Sequence, residues 1–212
     1  MKINPINLQS EAIRESRKYP FLVALAFLSK DLVSSVLEVQ EHLKKIDSRH
    51  IYHPSNTLHI TIKPMGSFGL RIKEQNLNKI LNNSRTVVSE CKPFEVNLHG
   101  LAYFPDVLYA KIAKGRREII HLNKSLAKDL KGMVDQGQYE GDHMIPHVTL
   151  ATFTSSDVHD LLNEIRSANQ LKIGKMIIEE IVVVKAYLHH YYGLEAERDS
   201  SFEKIAEFPL NH

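Results

Sequence analysis

"TLHITIKPMG" at residues 57–66 and "IPHVTLATF" at residues 145–153 share one core: a histidine, an apolar residue and a threonine, set in an apolar run. In an extended strand, residues two apart project to the same face. The first stretch then places His59, Thr61 and Lys63 on one face, with Leu58, Ile60 and Ile62 on the other. The second places His147, Thr149 and Ala151 opposite Val148 and Leu150. Each strand buries its apolar face, and the polar face meets solvent or lines a cavity. The two histidines lie 88 residues apart, at 59 and 147. From 12 His and 6 Thr in 212 residues, chance supplies about 0.3 copies of His-x-Thr. Two copies with apolar inner residues therefore point to an internal repeat.

The surrounding pattern agrees. "FLVALAFL" (21–28) is a continuous apolar run, expected for a strand buried on both faces. Leu32, Val36, Val39, Leu43 and Ile46 recur at helical spacing over 30–46. "LHITIKPM" is a strand stopped by Pro64 and the glycines of "GSFG", and 74–90 is a weaker helix. "FEVNLHGLAYF" (94–104) and "VLYAKIA" (107–113) flank "PD", a hairpin turn. The order then starts again: a helix over 118–134, the strand "PHVTLATF", and a helix over 156–167 with Ser155 or Ser156 as N-cap. A strand over 177–188 and a closing strand over 201–210 complete the chain. This is β-α-β-α-β twice, giving one domain over 1–212 made of pseudo-repeats at about 20–104 and 107–190.

Composition narrows the class. Hydrophobic residues at 43% and charged residues at 25% are globular values. A net charge of +2 is too small to mark a nucleic-acid binder by itself, yet it suits a phosphate-bearing substrate. The single cysteine, Cys91, permits no internal disulfide and fits a reducing interior. No stretch resembles a signal peptide or a membrane span, so a cytoplasmic protein is expected, a monomer with no obligatory protein partner.

Cleaving a phosphodiester without a metal requires a base for the attacking water and an acid for the departing oxygen. Histidine can do either near neutrality. Two histidines from matching strands, one neutral and one charged, can bracket a single phosphorus. The Thr61 and Thr149 hydroxyls can donate to its non-bridging oxygens, and Lys63 can add charge neutralisation from the same face. Neither metal nor cofactor is required. Each motif taken alone is also readable as an ordinary hydrogen-bonded histidine, and Lys63 as a solvated edge residue. Phe153 falls on the His147 face, where it can stack on a base or belong to the core. "HMIPH" (143–147) has the spacing of helical zinc ligands, but Pro146 rules out the helix. His189 and His190 point to opposite faces of a strand, and Arg116–Arg117 begins a solvated helix face. Tyr103 and Phe104 are read as hairpin and core residues.

"HITIKPMG" and "IPHVTLATF" resemble the paired motifs of the 2H phosphoesterase superfamily, in particular its 2′-5′ RNA ligase-like, cyclic phosphodiesterase branch. "FEVNLHGLAYFPDVLYAKI" is similar to the family's segment between the motifs, and the resemblance spans about residues 20–210. It implies an α+β, two-lobed duplicated fold with antiparallel-rich sheets, outer helices and a central cleft. It also implies that His59, Thr61, His147 and Thr149 act on a 2′,3′-cyclic phosphate or a 2′-5′ linkage, at an RNA end or in a small cyclic nucleotide. In ring opening, His59 would be the acid and His147 the base. Many ligase-like members carry a basic residue soon after the second motif, where this chain has "ATFTSS". A protein that binds RNA ends without turnover is the alternative.

Overall fold

The computed structural model describes residues 2–15, 18–137, 140–188 and 202–211. Its elements run α1 (Glu11–Glu15), β1 (Phe21–Phe27), α2 (Lys30–Ile46), β2 (Ile51–Tyr52), β3 (His59–Ser67), α3 (Leu77–Ser89), β4 (Phe94–Tyr103), β5 (Val107–Lys114), α4 (Arg116–Asp129), β6 (His147–Thr152), α5 (His159–Ser167), β7 (Lys172–Ile178), β8 (Glu180–Ala186) and β9 (Phe202–Pro209). The strands form two antiparallel sheets, in the orders β3-β1-β8-β9 and β2-β6-β5-β4-β7. No helix among the described residues is long and apolar enough to cross a membrane.

Local sequence explains the elements. Ser29 caps α2 by accepting from the Leu32 N–H at 3.4 Å, and the helix buries Leu32, Val36 and Leu43. Each such side chain contributes about 1.5–3 kcal/mol on leaving water. Gln40 on the same stripe is also buried, and its amide donates to the carbonyls of His53 (2.9 Å) and Leu150 (2.7 Å). α2 and α5 pack on the second sheet, whereas α3 and α4 lie against β9 and β3 of the first. A single apolar core fills both interfaces.

Three sequence expectations change. Pro64 does not stop β3, which continues to Ser67. β3 is an edge strand, where a missing N–H is tolerated. The strand expected over 177–188 is two strands in different sheets, with Glu179 as the crossing point, its carbonyl accepting from the Leu210 N–H. α5 begins at His159 rather than 156, because Ser155 Oγ accepts from the Asp157 N–H in a local turn.

Apart from the two-residue β2 between α2 and β3, the element order β-α-β-α-β occurs twice, as β1-α2-β3-α3-β4 and β5-α4-β6-α5-β7. The sheets are not the two halves of the chain, however. β4 from the first half lies in the second sheet, the late strands β8 and β9 complete the first, and α2 and α4 each cover the other half's sheet. The halves interleave.

Candidate active site

The sheets meet where β3, at the edge of one, packs against β6 of the other. β2 pairs only with Ala151 and Thr152 at the end of β6, so it leaves the His147–Thr149 portion clear. The two motifs therefore lie side by side along the joint.

The histidines are held identically. His59 Nδ1 donates to the Thr57 carbonyl at 2.7 Å, and His147 Nδ1 donates to the Ile145 carbonyl at 2.8 Å. A carbonyl only accepts, so Nδ1 carries the hydrogen in both rings and Nε2 is the nitrogen that gains or loses a proton. His59 Nε2 lies 3.2 Å from Thr61 Oγ1. Both histidines and both threonines are half-buried. Burial pushes the His59 pKa down to about 4, the Thr57 carbonyl opposes that shift, and charge on His147 lowers it further. His147 is lowered as well, chiefly by burial, while the Ile145 carbonyl and Asp106 act in the other direction. A charge on His147 thus disfavours a proton on His59.

One backbone feature, present in both copies, decides what else shares this face. In the β1–β3 ladder Leu25 pairs with Thr61 and Ala24 with Lys63, leaving Ile62 as an extra residue. In the β5–β6 ladder Tyr109 pairs with Thr149 and Leu108 with Ala151, leaving Leu150 extra. Each motif strand bulges immediately after its threonine, and the bulge turns the following residues through one face. The expectation that Lys63 and Phe153 accompany the histidines is therefore corrected. Lys63 is fully buried, donating to the carbonyls of Pro64 (2.6 Å) and Asp135 (2.9 Å) and pairing with Glu140. Phe153 is fully buried in the core, edge-on to His50 at 5.2 Å.

The first bulge also fastens the second motif. The Ile62 carbonyl accepts from Asn123 Nδ2 at 2.8 Å, and Asn123 Oδ1 accepts from the Gly141 N–H at 2.8 Å. Glu140, paired with Lys63, also accepts from the Gly137 N–H at 2.8 Å. These bonds tie the segment leading into His147 to the strand that carries His59.

Aromatic rings flank both histidines. Phe202 meets the His59 ring edge-on at 5.3 Å, and Phe27 packs edge-on against Phe202 at 5.8 Å. Phe104 and Tyr109, stacked at 4.4 Å, lie 5.2 and 5.0 Å from the His147 ring. Phe104 is therefore a neighbour of the site and not only a hairpin residue. Tyr109 is the cross-strand partner of Thr149, and Phe27 that of His59. These contacts depend on strand register, which the sequence does not display. Arg116 and Arg117 are exposed at the start of α4, as expected.

Two other histidines, His50 and His53, are buried. His53 is buried with Nε2 2.9 Å from Thr152 Oγ1, and burial drives its pKa down to about 3. His189 and His190 lie outside the described residues. Among the described residues no group of three His, Cys, Asp or Glu is arranged to hold a metal ion. A cleft of about 480 Å³ beside α2 and β7 is lined by Glu38, His42, Glu164 and Lys172, with His42 paired to Glu164 at 3.0 Å.

Residues 34–188 match the model of the 2′-5′ RNA ligase superfamily. An RNA 2′,3′-cyclic phosphodiesterase of Aquifex aeolicus is 25% identical over 177 residues, covering 78% of this chain and 90% of that protein. One of Methanothermobacter thermautotrophicus is 26% identical over 172 residues, covering 77% and 90%. Among solved structures, Escherichia coli LigT complexed with 3′-AMP superposes with a TM-score of 0.68 at 11% identity, covering 92% of this chain and 99% of LigT. A protein of Thermus thermophilus gives a TM-score of 0.66 at 19% identity, covering 89% and 97%. With the doubled motif on adjacent strands of this same fold, the chain belongs to the 2′-5′ RNA ligase superfamily of 2H phosphoesterases.

Proposed function

We propose that this protein is a metal-independent phosphodiesterase that opens 2′,3′-cyclic phosphates, or cleaves 2′-5′ linkages, at the ends of RNA or in small nucleotides. The observation that carries the reading is the matched tautomer: two adjacent strands each lock Nδ1 to a backbone carbonyl and leave Nε2 to move a proton. One neutral imidazole takes a proton from water as its oxygen bonds to phosphorus. The other, as imidazolium, gives its proton to the ribose oxygen as the ring P–O bond breaks, leaving a phosphomonoester. Following the resemblance, His59 is the acid and His147 the base. Mutual repulsion disfavours a second proton on the pair, and burial leaves free His59 neutral near pH 7, so the acid gains its proton with substrate bound. A bound anionic phosphate favours the charged form of either ring. Thr61 and Thr149 donate to the non-bridging oxygens. With a ribose 5′-hydroxyl in place of water, the same ring opening forms a new P–O5′ bond as the P–O3′ bond breaks, which is 2′-5′ ligation. The two relatives named as RNA 2′,3′-cyclic phosphodiesterases support the substrate class.

The test is turnover of 2′,3′-cyclic and 2′-5′-linked substrates in EDTA, with identification of the product phosphate position. His59→Ala and His147→Ala are each expected to lower kcat by at least about 10². A phosphodiester with a 4-nitrophenolate leaving group, which departs without an acid, restores much of the rate to His59→Ala but not to His147→Ala. Near-normal kcat in either variant refutes the mechanism. Binding of a cyclic-phosphate dinucleotide without turnover would instead establish the non-catalytic alternative.

A further inference from the structure

Resting on the reading above, we propose that Lys111 binds a second substrate phosphate, the 5′-phosphodiester of the nucleotide whose 2′,3′-phosphate lies between His59 and His147. The preferred substrate is then the end of a chain and not a free nucleoside cyclic phosphate.

Lys111 is the direct cross-strand partner of His147. Paired residues in an antiparallel ladder share a face, with Cα atoms about 4.5–5.5 Å apart. Its side chain is anchored: Nζ donates to Asn169 Oδ1 at 2.5 Å and to the Asn169 carbonyl at 3.3 Å. An ammonium has three N–H groups, so one donor remains for an anion. Among the described residues no carboxylate lies within ion-pair distance of Lys111. By contrast Lys63, Lys114, Lys124, Lys175, Lys185 and Lys204 each meet one. Neutral oxygens hold Lys111 in place without cancelling its charge.

The backbone is shaped around this lysine. Gly100 has φ +79°, and a Cβ there would sit 2.6 Å from Lys111 Cε and 2.2 Å from the Asn169 carbonyl oxygen. Glycine at position 100 lets the lysine stem lie across β4 and reach Asn169. Fixing the stem in the free protein lowers the rotamer entropy lost when an anion binds. The position matching Lys111 beside His59 is Phe27, so the two sides of the site are chemically different. A nucleotide with a phosphate at each end of its ribose fits that asymmetry in one orientation.

The experiment compares adenosine 2′,3′-cyclic phosphate with its 5′-phosphorylated counterpart and with a dinucleotide ending in the cyclic phosphate. kcat/KM is measured for the wild type, Lys111→Ala and Lys111→Arg. The wild type is expected to favour both 5′-phosphorylated substrates by about tenfold, mainly in KM, as one charge-assisted contact supplies. Lys111→Ala should bring the ratio near one and flatten its salt dependence, while Lys111→Arg keeps most of the preference. A wild type without the preference, or a preference that survives in Lys111→Ala, overturns the proposal and leaves the phosphodiesterase reading standing. Failure of the wild type to hydrolyse any of the three would remove that reading instead, and this one with it.

Discussion

Replacing Glu140 by Gln tests whether the buried pair beneath the first motif positions the second. Lys63 is 0% exposed and Glu140 11%, so the substitution leaves an ammonium in the core with neutral oxygens, two backbone carbonyls and the glutamine amide oxygen, but no counter-charge. Breaking a buried pair from one side costs about 3–5 kcal/mol, because the remaining charge is uncompensated. The glutamine carbonyl can still accept from the Gly137 N–H, so the change is confined to the charge. A domain of this size shifts in Tm by about 2–4 °C per kcal/mol, which puts the variant about 6–20 °C below wild type. The double variant Lys63→Met/Glu140→Gln removes both charges and should recover at least half of that loss. Urea unfolding of the four proteins in this cycle gives the coupling energy directly. The segment held by Glu140 leads into His147, so kcat should fall in Glu140→Gln and recover partly in the double variant. A cost below about 1 kcal/mol for Glu140→Gln, or a double variant no better than the single, refutes the reasoning.

Thr61→Val and Thr149→Val remove only a hydroxyl from β-branched side chains, so the strands should survive. Each is expected to lower kcat by about 10²–10³ with a smaller change in KM, the loss seen when one transition-state donor is removed. Steady-state kinetics on a 2′,3′-cyclic substrate checks this, and a pure KM effect would argue against a transition-state role. Stability should also depend on pH in a defined window. His53 and His59, at about 3 and 4, stay neutral in the fold while the unfolded chain protonates them near 6.5. The unfolded state then binds more protons, so stability is constant above about pH 6.5 and falls as pH drops toward 4. At pH 4.5 the buried His53 alone costs on the order of 2–3 kcal/mol. Urea midpoints at pH 7.5, 5.5 and 4.5 measure the slope, which His53→Gln should flatten.

The elements are legible where one physical signal dominates. "FLVALAF" reads as a doubly buried strand, and the structure explains why: Leu22, Ala24 and Ala26 enter the main core, while Val23 and Leu25 join a second apolar cluster with Val182, Val184 and Phe202. α2 follows from its stripe and its Ser29 cap. The doubled His-x-Thr puts each histidine and its threonine on one face of its strand, because alternation holds from the histidine to the threonine. It fails one residue later. A bulge depends on how two strands pair, and nothing in "TIKPM" or "TLATF" states that register. Simple alternation consequently puts Lys63 and Phe153 on the wrong face, and it offers no link from Lys111, Phe104 or Tyr109 to His147. The division at Glu179 leaves a trace in the sequence. "KIGKMII" alternates like a half-exposed strand and "IVVV" does not, in keeping with the observed burial of β7 and β8.

Under the proposed mechanism, the paired bulges give the repeated element order a physical purpose. A phosphorus attacked on one side and losing an oxygen on the other needs two proton-transfer groups facing it from different directions. A single regular strand cannot supply both. Two edge-adjacent strands can, provided each turns its remaining residues inward after the threonine. The bulge at Ile62 does this, and its displaced carbonyl becomes the acceptor for Asn123, which in turn holds the approach to His147. The irregularity that removes Lys63 from the site therefore helps to fix the spacing of the histidines. Interleaved halves serve the same end: α4 follows β5 of the second sheet yet packs on β3 of the first, so neither motif strand can shift without disturbing the helix beside the other. The spacing of the two histidines is thus a property of the shared core and not of a hinge between two independent lobes.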